Sequence, residues 1–195
     1  MMKPWLWISV ISLLWLSGCS QNPSPLPRQY LLTDVEAVSA LPESSTSAVE
    51  RPVQITVLPI QLPGYLTSDS MVLISPQGEV FSSQNNLWAE PLAIQLQRLL
   101  KARLQQRLPT VNWYIDNNVS QYKLLVQLSQ FAADTEGWVH ISGIWQLRDP
   151  NGKLIRQQLF TLKQAMVQNG YLAMSQALTK AWLTAVDQMA QKMDL

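Results

Sequence analysis

The stretch "YKLLVQLSQFAADTEGWVHISGIWQLRDPNGKLIRQQLFTLK", Tyr122 to Lys163, decides the fold. Apolar residues recur at every second position in successive runs broken by turn formers, which is the period of a β-strand. In Tyr122 to Phe131, the side chains of Leu124, Val126 and Leu128 share a face. In Trp138 to Arg148, Val139, Ile141, Trp145 and Leu147 share a face, with Gly143 between them. Asp134 and Glu136 fall in a turn before Gly137. "DPNG", Asp149 to Gly152, is a strong turn that folds Lys153 to Lys163 back as the second arm of a hairpin.

Outward from this block the period changes. Upstream, "NNLWAEPLAIQLQRLLKARLQQRLP" places Leu92, Leu96, Leu99, Leu100 and Leu104 at helical spacing. Pro91 suits a helix start, where an amide proton has no partner to lose. Arg98, Lys101, Arg103 and Arg107 complement the dipole of the later turns, and Pro109 ends the helix. Downstream, Tyr171 to Met193 is a second helix with Tyr171, Leu178, Trp182, Val186, Met189 and Met193 as its stripe. "VNWYI", from Val111, is a shorter strand. "MVLIS" and "EVFSS" flank "PQG", Pro76 to Gly78, as a hairpin. "VQITVLPI", from Val53, alternates and is β-branched, and "QYLLT", from Gln29, is a short strand. Ser39 to Pro52 is a Ser-rich loop. Strands, helix, strands, helix is the order of a single α+β domain: a largely antiparallel sheet with two main helices on one face. No internal repeat or second domain is visible.

The N-terminus follows different rules. "MMKPWLWISVISLLWLSGC" has a positive start at Lys3 and an apolar run from Trp5 to Leu16. About twelve residues are too few to span a ~30 Å hydrocarbon core as a helix. They fit the apolar segment of a secretory signal peptide, residues 1–18. Leu16-Ser17-Gly18-Cys19 resembles the bacterial lipobox, which implies cleavage between Gly18 and Cys19 and a diacylglyceryl group on the Cys19 sulfur. Cys19 is the only cysteine. Ser20 stands where an aspartate favours inner-membrane retention in enteric lipoproteins, so the resemblance implies outer-membrane sorting. Residues 19–28 then form a lipidated, proline-spaced tether, which at ~3.1 Å per residue spans ~25–30 Å.

Composition bounds the chemistry. Of 195 residues 47% are hydrophobic, enough for a core. Without Lys3 the positive and negative residues balance, so no basic footprint for nucleic acid exists. His140 is the only histidine and lies opposite the Val139/Ile141 face, as a solvated or half-buried structural residue. One His and one Cys cannot build an ordinary zinc site from those types. No nucleophile elbow and no glycine-rich phosphate loop is present, and the carboxylates, Glu79 and Glu90 among them, are scattered. The expectation is a protein that is not an enzyme, with no metal and no cofactor.

Two stretches have the look of recognition surfaces: Leu62-Pro63-Gly64-Tyr65-Leu66, and Trp88-Ala89-Glu90-Pro91-Leu92 at the helix start. The competing reading makes Tyr65 a loop aromatic folded onto the domain. Trp88 would be a staple packed on the first helical turn, with Glu90 facing the helix dipole.

The lipobox, "QYLL", "LPGYL", "WAEPL" and the C-terminal "GYLAMSQALTKAWLTAV" helix occur in that order. Together they resemble the ABC-type transport auxiliary lipoproteins of the PqiC group, over most of the chain after Cys19. Members often carry a basic residue and a polar pair after "YL", where this chain has "TSDSMV", and any contact made by that basic residue has no counterpart here. The resemblance implies a non-catalytic, lipid-anchored accessory subunit of an MCE-type intermembrane lipid transport system. Such a subunit faces the periplasm from the outer membrane, receives the end of an MCE-domain tunnel protein, and supports envelope integrity. A hollow partner implies a homo-oligomeric ring. The alternative is a scaffold lipoprotein for outer-membrane biogenesis or cell-wall machinery; a lipid-anchored hydrolase ranks last. Whether the two motifs bind a partner or build the fold stays open at this level.

Overall fold

The computed structural model describes residues 26–33, 53–115 and 121–193. The expected signal peptide, Cys19 with its expected cleavage site, the first part of the expected tether and the expected Ser-rich loop lie outside the described residues. The described residues form one eight-stranded sheet and two long helices. The strands are β1 (Arg28–Tyr30), β2 (Gln54–Val57), β3 (Ser70–Ile74), β4 (Val80–Trp88), β5 (Asn112–Ile115), β6 (Tyr122–Asp134), β7 (Trp138–Arg148) and β8 (Leu154–Ala165). The helices are α1 (Leu92–Arg107), between β4 and β5, and α2 (Tyr171–Lys192) after β8. The α+β architecture expected from the periodicities is the one observed.

The alternating block forms an antiparallel meander. β6 pairs with β7 and β7 with β8 in long ladders. Val139, Ile141, Trp145 and Leu147 are buried, as are Leu124, Val126 and Leu128. Gly143 lies opposite Leu128, where β6 carries a bulge between Leu128 and Gln130. A Cβ there would run into the Gln127 carbonyl oxygen and stand 2.9 Å from the Phe160 ring, so only glycine fits.

The other edge of β6 is divided. β2 runs parallel to its first residues and β3 parallel to its last. Between them Gln61 bridges Gln127, its amide donating to Val126 and its carbonyl accepting from Leu128. Outward of β2 lies β5, also parallel; outward of β3 lie β4, antiparallel, and then β1, parallel to β4. The long β6–β7 and β7–β8 ladders are thus antiparallel, and of the short pairings all but β3–β4 are parallel. The strand at the first helix motif is longer than expected: Asn85 to Trp88 belong to β4, and α1 begins only at Leu92.

Both helices bury apolar stripes in one core. Leu92, Leu96, Leu99, Leu100 and Leu104 of α1 meet Leu178, Trp182, Val186 and Met189 of α2 and the inner face of the sheet. The Trp182 indole donates to the Leu96 carbonyl at 3.2 Å, so its one polar atom is satisfied where it is fully buried. The helices are also clamped at the surface. Arg103 and Arg107 each donate two hydrogen bonds, at 2.7–2.8 Å, to the two oxygens of Asp187. The α1 arginines thus bind an acid on α2 besides complementing their own helix dipole.

Candidate functional site

The first motif fills the gap in the divided edge of β6. Leu62 and Pro63 leave the Gln61 bridge, and Gly64–Leu66 makes one 3-10 turn, closed by the Leu66 amide on the Pro63 carbonyl at 2.9 Å. Leu66 is buried in the core, and Leu62 and Tyr65 pack against it. The Tyr65 hydroxyl donates to the Ser129 carbonyl at 3.1 Å. Ser129 is the bulge residue of β6, so the motif supplies the donor that the interrupted ladder lacks. Burial pushes the Tyr65 pKa up, partly offset by a backbone hydrogen bond at Phe131.

The second motif stitches β1 to the start of α1. Tyr30 pairs with Trp88, and the Ala89 amide donates to the Tyr30 carbonyl at 2.9 Å. Trp88 is buried, with its amide on the Asp69 carbonyl, and Leu92 is buried beside it in the same core. Pro91 is the N-cap of α1, and its carbonyl accepts from Ile94 and Gln95. Glu90 precedes the helix and pairs with Arg98 at 2.8 Å. Its Oε2 is shut off from water and has this charge partner without well-angled hydrogen-bond geometry. Both side chains are about half exposed, so the pair contributes little.

The centre of this junction is a residue that the motif reading passed over. Gln95 is fully buried; its Oε1 accepts from the Leu32 amide at 2.7 Å and its Nε2 donates to the Glu90 carbonyl at 2.7 Å. One side-chain amide thereby locks the chain just after β1 to the turn before α1. The signal in the sequence was a glutamine inside a leucine stripe, at helical spacing from Leu92 and Leu99. Of the motif residues, Gly64, Ala89 and Pro91 are exposed, while Leu66, Trp88 and Leu92 are buried and Leu62, Pro63, Tyr65 and Glu90 lie between. The motifs occupy separate places, one on the edge of β6 and one on β1.

A cleft opens beside β1 at the start of α2. An apolar pocket of about 270 Å³ lies between Leu73, Met166, Tyr171 and Met174. A wider, more polar depression of about 590 Å³ adjoins it across Asn169, Gly170 and Tyr171 and reaches Arg28 and Tyr30. The Tyr30 and Tyr171 rings stand 6.5 Å apart. Gly170, at φ 112°, permits the turn into α2. Asp134 borders the pocket and holds His140 at 2.7 Å. The same carboxylate accepts from the Glu136 and Trp138 amides at 2.9 Å, so His140 braces the β6–β7 turn. Although its desolvation opposes this, the bonds from His140 and the two amides hold the Asp134 pKa below the usual carboxylate value. Among the described residues no group of three or more His, Cys, Asp or Glu could hold a metal ion, and no helix is long and apolar enough to cross a membrane.

A divided mixed sheet backed by two helices, with a short strand from the N-terminal side locked to the first helix, defines a single α+β domain. The chain belongs to the family described as the ABC-type transport auxiliary lipoprotein component, which matches residues 30–190. It is 30% identical, over 95% of its own length and 96% of the relative's, to the intermembrane transport lipoprotein PqiC of Escherichia coli strain K12. The same identity and coverage hold for PqiC of Shigella flexneri. Among solved structures it is similar to an uncharacterized protein at 29% identity and TM-score 0.67, covering 73% of this chain and 92% of that one. A Xanthomonas campestris protein at 17% identity and TM-score 0.62, covering 70% of this chain and 81% of that one, shares the fold.

Proposed function

We propose that this chain is a non-catalytic, lipid-anchored accessory subunit of an MCE-type intermembrane lipid transport system. It is held in the outer membrane through acylated Cys19 after cleavage behind Gly18, and it faces the periplasm. There it receives the end of an MCE-domain tunnel protein as a homo-oligomeric ring and so supports envelope integrity. The observation that carries this reading is end-to-end similarity to a protein named as an intermembrane transport lipoprotein, within a family described as a transport auxiliary component. The lipobox and the short proline-spaced tether support the anchor, and the locked β1–α1 junction gives that tether a rigid attachment point.

Affinity capture of tagged protein from envelopes in mild detergent should recover an MCE-domain protein; its consistent absence sinks the docking role. Light scattering of the purified lipoprotein should give a closed oligomer, and a strict monomer at high concentration rules out the ring.

A further inference from the structure

Strand directions collect several connections at one end of the domain. β3 runs parallel to β6 with Ile74 beside Asp134, so the β3–β4 hairpin and the β6–β7 turn project together. β8 runs antiparallel to β7 and finishes with Ala165 opposite Trp138, which puts the 166–170 connection and the start of α2 at the same end. β1 runs parallel to β4 and antiparallel to β3, so the chain also enters from this end.

Large aliphatic side chains stand in water here. Val167 is 94% exposed, Leu26 88% and Leu172 61%. Val167 and Leu172 border the depression that contains Arg28, two residues after Leu26. Arg28 is exposed, and its guanidinium has no hydrogen-bond or charge partner among the described residues. Single exposed aliphatics are ordinary on a protein surface; several of them around one concavity beside an unpaired arginine are not.

We propose that this end rests on the surface of a phospholipid bilayer. Leu26, Val167 and Leu172 enter the boundary between headgroups and acyl chains, and Arg28 meets the phosphates. The proposal rests on the lipid anchor at Cys19. Seven Cα steps separate Cys19 from Leu26, a reach of at most ~25 Å. β6 alone, at 13 residues, is ~40 Å long. The anchor therefore cannot reach the far end of the domain and must lie near the end with the exposed aliphatics. Leu154 and Ile155, also exposed, sit at that far end beside the Asp149–Gly152 turn. The chemistry fits a membrane surface: short apolar side chains insert shallowly, and a guanidinium pairs with phosphate through two parallel bonds. Exposed Glu79 and Glu136 on the neighbouring turns offset the charge of Arg28, so the aliphatic side chains rather than net charge hold the seat.

The test uses the mature acylated protein in phospholipid nanodiscs. Its only native cysteine is blocked by lipid, so Val167→Cys, Leu172→Cys and, at the far end, Lys153→Cys each accept one environment-sensitive fluorophore. Labels at 167 and 172 should shift to the blue, lose most of their emission to lipid-borne quenchers and resist iodide, at low and high salt alike. The label at 153 should do the reverse. Iodide-accessible labels at 167 and 172 overturn the proposal, and so do labels shielded from both quenchers, which would place protein on this face. Intact mass separates the two levels: protein without an acyl group overturns the anchor and the seat together, whereas acylated protein with its labels in water overturns the seat alone.

Discussion

Gln95 shows how much one side chain can organise. A buried primary amide must satisfy a donor and an acceptor, and here both partners are backbone groups, one just after β1 and one in the turn before α1. Gln95→Leu keeps the volume and apolar fit but strands the Leu32 amide and the Glu90 carbonyl. The expected cost is about 1–3 kcal/mol, read as a lower midpoint in urea unfolding. Amide exchange at Leu32 should quicken more than at β7, because the lesion frees the N-terminal strand first. Unchanged exchange at Leu32 would show that the pairing of β1 with β4 holds the junction without Gln95. His140 and Asp134 are the residue-scale counterpart at the opposite corner of chemistry: a close His–Asp contact that suggests catalysis in isolation, used here to close a turn.

At the scale of elements, the α1–α2 pair joins a shared apolar core to one surface clamp. Although desolvation opposes it, Arg103 and Arg107 hold the Asp187 pKa down to about 2 from 3.8. A carboxylate with a lowered folded-state pKa stabilises the fold above its unfolded value and loses that contribution as pH falls through the folded one. The clamp is therefore complete above about pH 4 and lost towards pH 2. Discounted for solvent screening, it contributes about 1 kcal/mol at neutral pH. Asp187→Asn should lower the melting temperature at pH 7 and flatten its fall between pH 4 and pH 2; an equally steep acid limb in the variant would assign acid sensitivity to other carboxylates. The sheet elements differ in how openly the sequence announces them. β6 and β7 are legible because each carries its own period of two, and β8 because the short Asp149–Gly152 turn folds it back on β7. β1, β2 and β5 are short, and their parallel partners β4, β6 and β2 lie far away in sequence, so nothing local specifies the pairing. Asn85 to Trp88 sits directly before a helix, and reads as its lead-in until the β1 and β3 partners of β4 are known.

For the whole molecule, the proposed anchor and the fold are separable. Every buried core residue among those described lies between Leu32 and Met193, well after Cys19 in the chain. Cys19→Ala should therefore abolish incorporation of labelled acyl chains while leaving the domain's melting temperature unchanged. Acyl labelling that persists in the variant would refute Cys19 as the attachment site. The sequence by itself determined the kinds of the long elements, the α+β class and the family, because each is carried by residues close together in the chain. It also supplied the motifs without saying what they do. Only the tertiary structure decided that the first motif fills a gap on the edge of β6 and that Gln95 ties the second to β1. Only there do Leu26, Val167 and Leu172 come to one end of the domain with Arg28. The physical reason is range. Periodicity and turn chemistry act over a few residues, whereas these placements depend on which backbone groups and apolar faces remain unpaired once distant strands have docked.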